Sequence, residues 1–238
     1  SVLVSETWPA EHRGKAIGFM QSGWAIGYIL AALLSALIIP SLGWRMLFVV
    51  GILPALLTLW IRRHVPEPEI WVSGERGHGF RLRPFLGEIF SAPLAKRTVI
   101  ATLTTTSALF AYWGLFTWMP TFLSSPEDQG GAGLTIVGSA EWIIPMQVGA
   151  FLGYVLFGFF ADRFGRKPTF VVFLAAAAFL VPVYGQLGRN DTLLLLLGPF
   201  LGFFGHGYFS VFGSLLAELF PTRNRASISA AHLAMSGR

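Results

Sequence analysis

Residues 161–168 read Ala-Asp-Arg-Phe-Gly-Arg-Lys-Pro, and this short charged stretch decides the fold. Uncharged apolar sequence runs through residues 143–160 before it and through residues 169–187 after it. Four charges fall within six positions, at Asp162, Arg163, Arg166 and Lys167. Because such a cluster cannot lie in hydrocarbon, it predicts a tight turn where two membrane helices meet water. The excess of Arg and Lys over Asp places this turn on the cytoplasmic side.

The other residues of the stretch favour the same turn. Gly165 permits a tight turn or a close approach of two helices. Pro168 suits the first turn of the helix that follows. The alternative for this stretch is a plain basic loop that only sets membrane topology.

The composition indicates a membrane protein. The 238 residues are 54% hydrophobic and 12% charged, whereas soluble domains carry about 25% charged residues. The net charge of +5 could suggest a nucleic-acid partner, but the mixture of aromatic and basic residues that contacts bases is missing. The chain has no Cys, which excludes disulfides and thiolate metal sites. It also lacks phosphate-cradling motifs and any catalytic constellation, so we expect no nucleotide, cofactor, metal or enzymatic activity.

Six stretches are long and apolar enough to cross a membrane, which takes about 20 residues for ~30 Å of hydrocarbon. They are residues 14–39, 46–61, 98–123, 136–160, 169–187 and 192–219. Pro54 predicts a kink in the second span. In the first span, Gly18 and Ser22 lie one turn apart, as do Gly23 and Gly27, so a neighbouring helix can approach closely. Residues 1–4 and 226–238 resemble ends of further helices, so we expect the chain to be a piece of a longer protein.

The charges define the orientation of the spans. The loops at residues 6–13, 62–97, 161–168 and 221–225, together with Lys15, carry 14 Arg or Lys. The loops on the opposite side carry only Arg45 and Arg189. This bias predicts a multi-pass protein of the plasma (inner) membrane, with the first set of loops in the cytoplasm. Within the long segment 62–97, the apolar pattern of residues 85–94 predicts an amphipathic helix on the membrane surface.

A short pattern recurs near the two ends of the chain. Glu6-x-x-Pro9-x-x-x-Arg13 returns as Glu218-x-x-Pro221-x-x-x-Arg225. Six predicted spans lie between the copies, so both copies lie on the same side of the membrane. Six helices duplicated in parallel orientation form the two halves of one class of secondary transporter.

Together these motifs resemble those of the major facilitator superfamily of transporters, in the right order and over nearly the whole chain. Residues 6–14 resemble the family's loop after helix 4, 43–45 the start of helix 6, 162–167 the loop between helices 8 and 9, and 217–225 the loop after helix 10. The resemblance implies an all-α membrane protein with a two-bundle fold, here incomplete, containing six full transmembrane helices. Residues 1–61 would belong to the N-terminal bundle (end of helix 4, helices 5 and 6). Residues 62–97 would form the cytoplasmic central loop, and residues 98–238 part of the C-terminal bundle (helices 7–10 and the start of helix 11).

The resemblance also implies a cytoplasmic gate built from charged residues. In the family, such a network holds the inward gate shut while the transporter faces outside. The matching positions are Asp162, Arg163, Gly165, Arg166, Lys167, Glu218, Arg225, Glu6 and Arg13. The alternative is that these charges only satisfy helix ends, since a surface ion pair contributes only about 0–1 kcal/mol.

Two ionisable residues lie inside predicted spans, where charge is costly and function is the default interpretation. His206 lies near the middle of the sixth span, between Gly205 and Gly207. It could carry a proton or donate to an anionic substrate, or it could be a neutral histidine bonded to a neighbouring helix. Glu141 lies nearer the outer end of the fourth span. It could be a protonation site facing a cavity, or it could lie at the interface.

Polar and aromatic residues around these positions suit a cavity for a small polar solute. The candidates are Gln21, Trp24, Tyr28, Tyr112, Trp113 and Gln147. For each aromatic residue, the alternative is ordinary packing or a place in the interfacial belt.

Two stretches point to one branch of the superfamily. Tyr-Trp-Gly-Leu-Phe-Thr-Trp at 112–118 and Gly-His-Gly-Tyr-Phe-Ser at 205–210 resemble the carboxylate and sialate proton-symporter branch. The paired Gln residues expected in helix 7 of sugar porters are missing. The resemblance thus implies proton-coupled symport of a small organic acid by alternating access, with the solute, protons and the lipid bilayer as partners. A sugar porter, a metabolite or drug exporter, and a non-transporting membrane sensor remain alternatives.

Overall fold

A computed structural model of the chain describes residues 13–64, 87, 90–187, 190–210 and 212. Over these residues the fold is helical, with no strand, which confirms the predicted all-α class. The α-helices are α1 (Arg13–Val50), α2 (Ile52–His64), α3 (Ala92–Ser124), α4 (Ile136–Phe164), α5 (Arg166–Gln186) and α6 (Asp191–Gly207). A single 3₁₀ turn, Glu127–Gln129, lies between α3 and α4.

Four helical stretches are long and apolar enough to cross a membrane: Lys15–Trp60, Leu94–Ser124, Ala140–Phe164 and Arg166–Gln186. The helix Asp191–Gly207 is apolar but shorter within the described residues. The first stretch contains the first two predicted spans, and the predicted end of the sixth span lies largely outside the described residues. The expectation of six full transmembrane helices is therefore confirmed only in part.

Two glycines separate helices that would otherwise be continuous. Inside α1, Gly43 has φ 76° and ψ 168°. These angles are not helical, so α1 consists of two helical segments that meet within the predicted loop at residues 40–45. Gly165, with φ 92° and ψ 148°, separates α4 from α5. Both conformations lie in a region that is essentially restricted to glycine. The turn predicted at the charged stretch is confirmed, and it is tighter than the stretch itself, because α4 continues through Asp162 and Arg163 to Phe164.

The chain also breaks between α1 and α2, at Gly51. The sequence predicted a kink from Pro54, and the break lies three residues before this proline. Proline has no N–H to donate and its ring clashes with the carbonyl four residues earlier, so the helix must restart close before it. The break is at Gly51, whose N–H still donates to the Leu47 carbonyl at 3.0 Å.

Helix α4 is the centre of the described bundle and packs against α6, α1, α5 and α3. Its contact with α6 is close enough for backbone to touch backbone, because a Cβ on Gly149 would collide with the Pro199 carbonyl. At the far end of this pair, the Trp142 indole N–H donates to the Asp191 carbonyl at 3.1 Å. In a membrane the hydrophobic effect does not drive helices together, because lipid tails are as apolar as the side chains. Helices there associate through close packing of small residues, as α4 and α6 do.

Helix α1 packs against α4 through the small residues that the sequence singled out. A Cβ on Gly18 would lie 2.6 Å from the Tyr154 carbonyl oxygen, and Ser22 is buried beside it on the same face. Ala25 and Ala150 continue the contact and are both fully buried. In contrast, a Cβ added to Gly23 or Gly27 would have no neighbour within 4 Å among the described residues. Within the described part of the chain, the close approach predicted for this helix therefore involves one of its two small-residue faces.

The segment after α3 folds back onto the end of that helix. The N–H groups of Ala132 and Leu134 donate to the carbonyls of Phe122 and Leu123 at 3.0 and 2.8 Å. These bonds satisfy carbonyls that the helix end would leave unpaired. Ala132 and Leu123 then join the apolar core that Tyr184 and Leu194 also enter.

Candidate functional site

His206 is a fully buried titratable group. It lies on α6, is 2% exposed, and its Nδ1 is 3.2 Å from the Gly202 carbonyl oxygen. Because a carbonyl can only accept, this bond places a hydrogen on Nδ1 and leaves Nε2 as the acceptor of the neutral ring. The flanking residues are small, and a Cβ on Gly205 would meet the Phe116 ring at 3.0 Å. The two glycines thus let the rings of other helices close around the imidazole.

Aromatic rings from α3 and α4 surround this histidine. The Phe116 ring centroid lies 3.8 Å away, the Tyr112 ring 5.2 Å away and edge-on, and the Tyr154 ring 5.9 Å away. We call His206, Tyr112, Phe116 and Tyr154 the aromatic-histidine cluster. Three separate helices contribute to it, so its geometry depends on how α3, α4 and α6 are packed.

The hydroxyl groups of the two tyrosines, on α3 and α4, lie within hydrogen-bonding reach of each other. Tyr112 was expected from the sequence, but Tyr154 was missed, because one tyrosine on an apolar helix looks like packing. A weak signal did exist, since Tyr154 is the only residue of 148–161 with a polar side-chain group.

Trp113 lies at the edge of the cluster, and Gln147 lies on the same helix as Tyr154. Gln147 is 2% exposed and precedes Tyr154 by seven residues on α4, so both side chains project from the same helix face. Trp113 meets Tyr112 edge-on at 5.6 Å but is 42% exposed. The structure therefore buries Gln147 and leaves Trp113 on the surface of the described bundle.

The candidates on α1 form a separate feature. Gln21, Trp24 and Tyr28 line a groove of about 580 Å³ along α1, together with Met20, Gly23, Gly27 and Ala31. Tyr28 also packs against the core that contains Phe116 and Ile143. This residue thus links the groove on α1 with the helices that hold the aromatic-histidine cluster.

Glu141 lies apart from these residues. It is near the start of α4 and its side chain is exposed. Of the two titratable candidates inside predicted spans, only His206 lies within the aromatic-histidine cluster.

The structure describes the charged residues of the predicted gate that lie in residues 162–167, but not most of their predicted partners. Asp162, Arg163 and Lys167 are exposed, and Arg166 is half-buried and in contact with another group. The Arg163 guanidinium lies 5.8 Å from the Phe164 ring centroid. Glu6, Glu218 and Arg225 lie outside the described residues, and of Arg13 only its place at the start of α1 is described. The gate therefore stays a prediction.

One contact does join α1 to α4 near the charged stretch. The Lys15 ammonium lies 4.9 Å from the centroid of the Phe159 ring, which is within cation–π range. This pair adds a surface contact between the two helices at the end where the sequence predicts the gate.

Tyr184 has a buried hydroxyl without a hydrogen-bond partner among the described residues. We expect Tyr184→Phe to raise the free energy of unfolding by about 1 kcal/mol, since it keeps the ring and removes an unsatisfied polar group. The measurement is the thermal midpoint in detergent. The control is Tyr112→Phe, which should lower the midpoint because the Tyr112 hydroxyl has the Tyr154 hydroxyl within hydrogen-bonding reach. A lower midpoint for Tyr184→Phe would contradict the prediction.

The chain is similar to known transport proteins. The sequence profile of the Major Facilitator Superfamily matches residues 1–144. A putative metabolite transport protein of Haemophilus influenzae is 37% identical over 231 residues, which cover 94% of this chain and 55% of the relative. A probable 4-methylmuconolactone transporter of Cupriavidus pinatubonensis is 34% identical, with 95% and 52% covered. A cis,cis-muconate transport protein of Acinetobacter baylyi is 29% identical, with 95% and 55% covered.

The chain spans about half the length of the curated relatives it matches. No solved structure matches it significantly.

Proposed function

Because this chain belongs to the Major Facilitator Superfamily, we propose that the protein is a secondary active transporter that moves a small organic acid across a membrane by alternating access. We further propose that transport is coupled to protons. The relatives named for muconate and 4-methylmuconolactone support the choice of an organic acid over a sugar. The long apolar helices agree with an integral membrane protein, and we propose the plasma (inner) membrane as its location.

The observation that carries the proposal is the aromatic-histidine cluster inside an apolar bundle. Its tyrosine hydroxyls can donate hydrogen bonds to a carboxylate, and so can Nε2 of His206 once it takes up a proton, because Nδ1 is bonded to the Gly202 carbonyl. Its rings supply apolar walls for a carbon skeleton. Side chains of this kind, mostly aromatic with a few polar groups, are typical of the lining of small-molecule sites.

We propose that the groove on α1, in the predicted N-terminal bundle, also lines the solute site. Gln21 and Trp24 line it, and Tyr28 links it to the core beside the cluster. If residues 1–61 belong to one bundle and residues 98–238 to the other, the solute binds between the bundles, with residues 62–97 as the cytoplasmic connection. The charged residues of 161–168 then form part of the gate on the cytoplasmic side, together with Glu6, Arg13, Glu218 and Arg225.

The test uses the full-length protein in proteoliposomes. Adding cis,cis-muconate outside should alkalinise the medium, because protons enter with the solute, and a protonophore should abolish accumulation of labelled muconate. A neutral sugar serves as the control and should give neither signal. Binding of muconate without any flux would contradict transport and favour a membrane sensor. Flux of the sugar, or muconate movement only outward, would favour a sugar porter or an exporter.

A further inference from the structure

We propose that Lys15 and Phe159 form a cation–π clasp that stabilises the arrangement in which the cytoplasmic ends of the two predicted bundles are closed. Lys15 is on α1, in the predicted N-terminal bundle, and Phe159 is on α4, in the predicted C-terminal bundle. The inference rests on the proposed function, because alternating access requires the two bundles to separate at this end. The clasp adds a neutral ring to a gate that the sequence predicts from charged residues.

The geometry of the pair depends on how α1 and α4 are placed. The ammonium of Lys15 lies over the Phe159 ring, 4.9 Å from its centroid. A cation within about 6 Å of a ring centroid is attracted by the negative face of the ring. By contrast, the guanidinium of Arg163 lies beside the ring of its own neighbour Phe164, within α4. That second contact does not depend on the separation of two helices, whereas the contact of Lys15 with Phe159 does.

The two main chains touch one turn away from the clasp. A Cβ on Gly18, three residues after Lys15, would lie 2.6 Å from the Tyr154 carbonyl oxygen on α4. Lys15 and Phe159 lie on the water side of this contact, since α1 begins and α4 ends just beyond them. The backbone contact therefore brings the lysine within reach of the ring, and the clasp is the part of this interface that lies nearest to the predicted cytoplasmic side.

The clasp responds to full opening of this end and not to small movements. The stem of a lysine is flexible, so the ammonium can follow a small shift of the helix. When the ends of α1 and α4 separate fully, the ring is out of reach and the ammonium returns to water. Lys15 is exposed and Phe159 is 49% exposed. A cation–π pair at an exposed site favours the closed arrangement by a factor of about 2 to 5, which lets it open in each transport cycle.

An ion pair is the competing explanation for any effect of Lys15. Asp162 follows Phe159 by three residues and is exposed, so the two side chains are neighbours on the surface of α4. The ring acts through its π face and the carboxylate acts through its charge. Changes at the two positions therefore distinguish the explanations.

The test is a double-mutant cycle in the full-length protein. Cysteines introduced at Leu59 on α2 and Val171 on α5, both exposed, carry spin labels, one in each predicted bundle. The chain itself contains no Cys, and any cysteine outside this chain is replaced by serine. The measured quantity is the ratio of the short to the long label distance in proteoliposomes without solute.

We expect Phe159→Leu to lower this ratio by about 2- to 5-fold, and Phe159→Trp to keep or raise it, because tryptophan has the strongest π face and leucine has none. Lys15→Gln should lower the ratio over the same range. In the Lys15→Gln background, Phe159→Leu and Phe159→Trp should make no further difference, because the cation is gone. The matched control is Phe164→Leu, which removes the ring of the pair within α4 and should leave the ratio unchanged.

Two results would overturn the inference. The first is an effect of Phe159→Leu that is absent, or equally large with and without Lys15, since the ring would then act by packing or not at all. The second is an effect of Lys15→Gln that disappears in Asp162→Asn and persists in Phe159→Leu, which would make the contact an ion pair. If the wild type moves no organic acid, the proposed function fails, and the label distances still decide whether Lys15 and Phe159 stabilise the closed end.

Discussion

Replacing Gly202 with alanine should prevent the protein from accumulating in folded form. A Cβ at this position on α6 would overlap the Met146 carbonyl on α4, and a Cβ on Gly153 of α4 would overlap the Phe203 carbonyl on α6. Glycines on each helix therefore face the main chain of the other. Since association of helices in a membrane depends on such close packing, one added methyl group must push the two helices apart.

We expect the loss in free energy of unfolding to lie at the upper end of the range for overpacked sites. Adding a methylene to a packed core costs about 1–3 kcal/mol, occasionally more, when side chains can adjust. At Gly202 the obstacle is backbone, which cannot change rotamer. The contact also lies between α4 and α6, so the displacement reaches Gly205 and His206 one turn further on and disturbs the aromatic-histidine cluster.

The measurement is the yield and thermal midpoint of the purified full-length protein in detergent. Gly114→Ala on α3 and Gly185→Ala on α5 are matched controls, because a Cβ at either position has no neighbour within 4 Å among the described residues. Alanine is favoured over glycine inside a helix by about 0.5–1 kcal/mol, so these variants should be as stable as the wild type or slightly more stable. A Gly202→Ala protein with the wild-type yield and midpoint would show that the helices can separate without cost.

The turn at the charged stretch could be predicted from the sequence to within one residue. Charge excludes residues 162–167 from hydrocarbon, and Gly165 is the one position there that tolerates φ 92°. The small-residue face of α1 at Gly18 and Ser22 was likewise visible as a spacing. These features are local, so the residues that cause them also reveal them.

The sequence could not show which helix packs against each small-residue face. Gly149 and Gly202 are far apart in the chain, and only packing shows that each meets the backbone of the other's helix. The same reason explains why Tyr154 was missed, since its importance comes from touching α1, α3 and α6 together. Sequence patterns identify a face of a helix, but contacts between three or four helices depend on rotation and crossing angle.

His206→Gln should abolish proton-coupled accumulation while leaving solute exchange intact. Glutamine keeps a hydrogen-bonding group of similar length beside Gly202 but cannot take up a proton. Among the described residues, the ring contacts the Gly202 carbonyl and faces the rings of Tyr112 and Tyr154. None of these described groups carries a negative charge, so we propose that the carboxylate of the solute stabilises a proton on His206. This requirement would couple the two movements.

Two assays on the full-length protein in proteoliposomes separate coupling from binding. Exchange of labelled for unlabelled muconate should continue in His206→Gln, whereas uptake driven by a pH gradient and alkalinisation of the medium should fall to background. Glu141→Gln is the matched control, because it removes the other titratable candidate, which is exposed and outside the aromatic-histidine cluster. We expect that variant to keep its proton dependence. Unchanged pH-driven uptake in His206→Gln would reduce His206 to a packing residue, and loss of coupling in Glu141→Gln alone would move the proton site to α4's outer end.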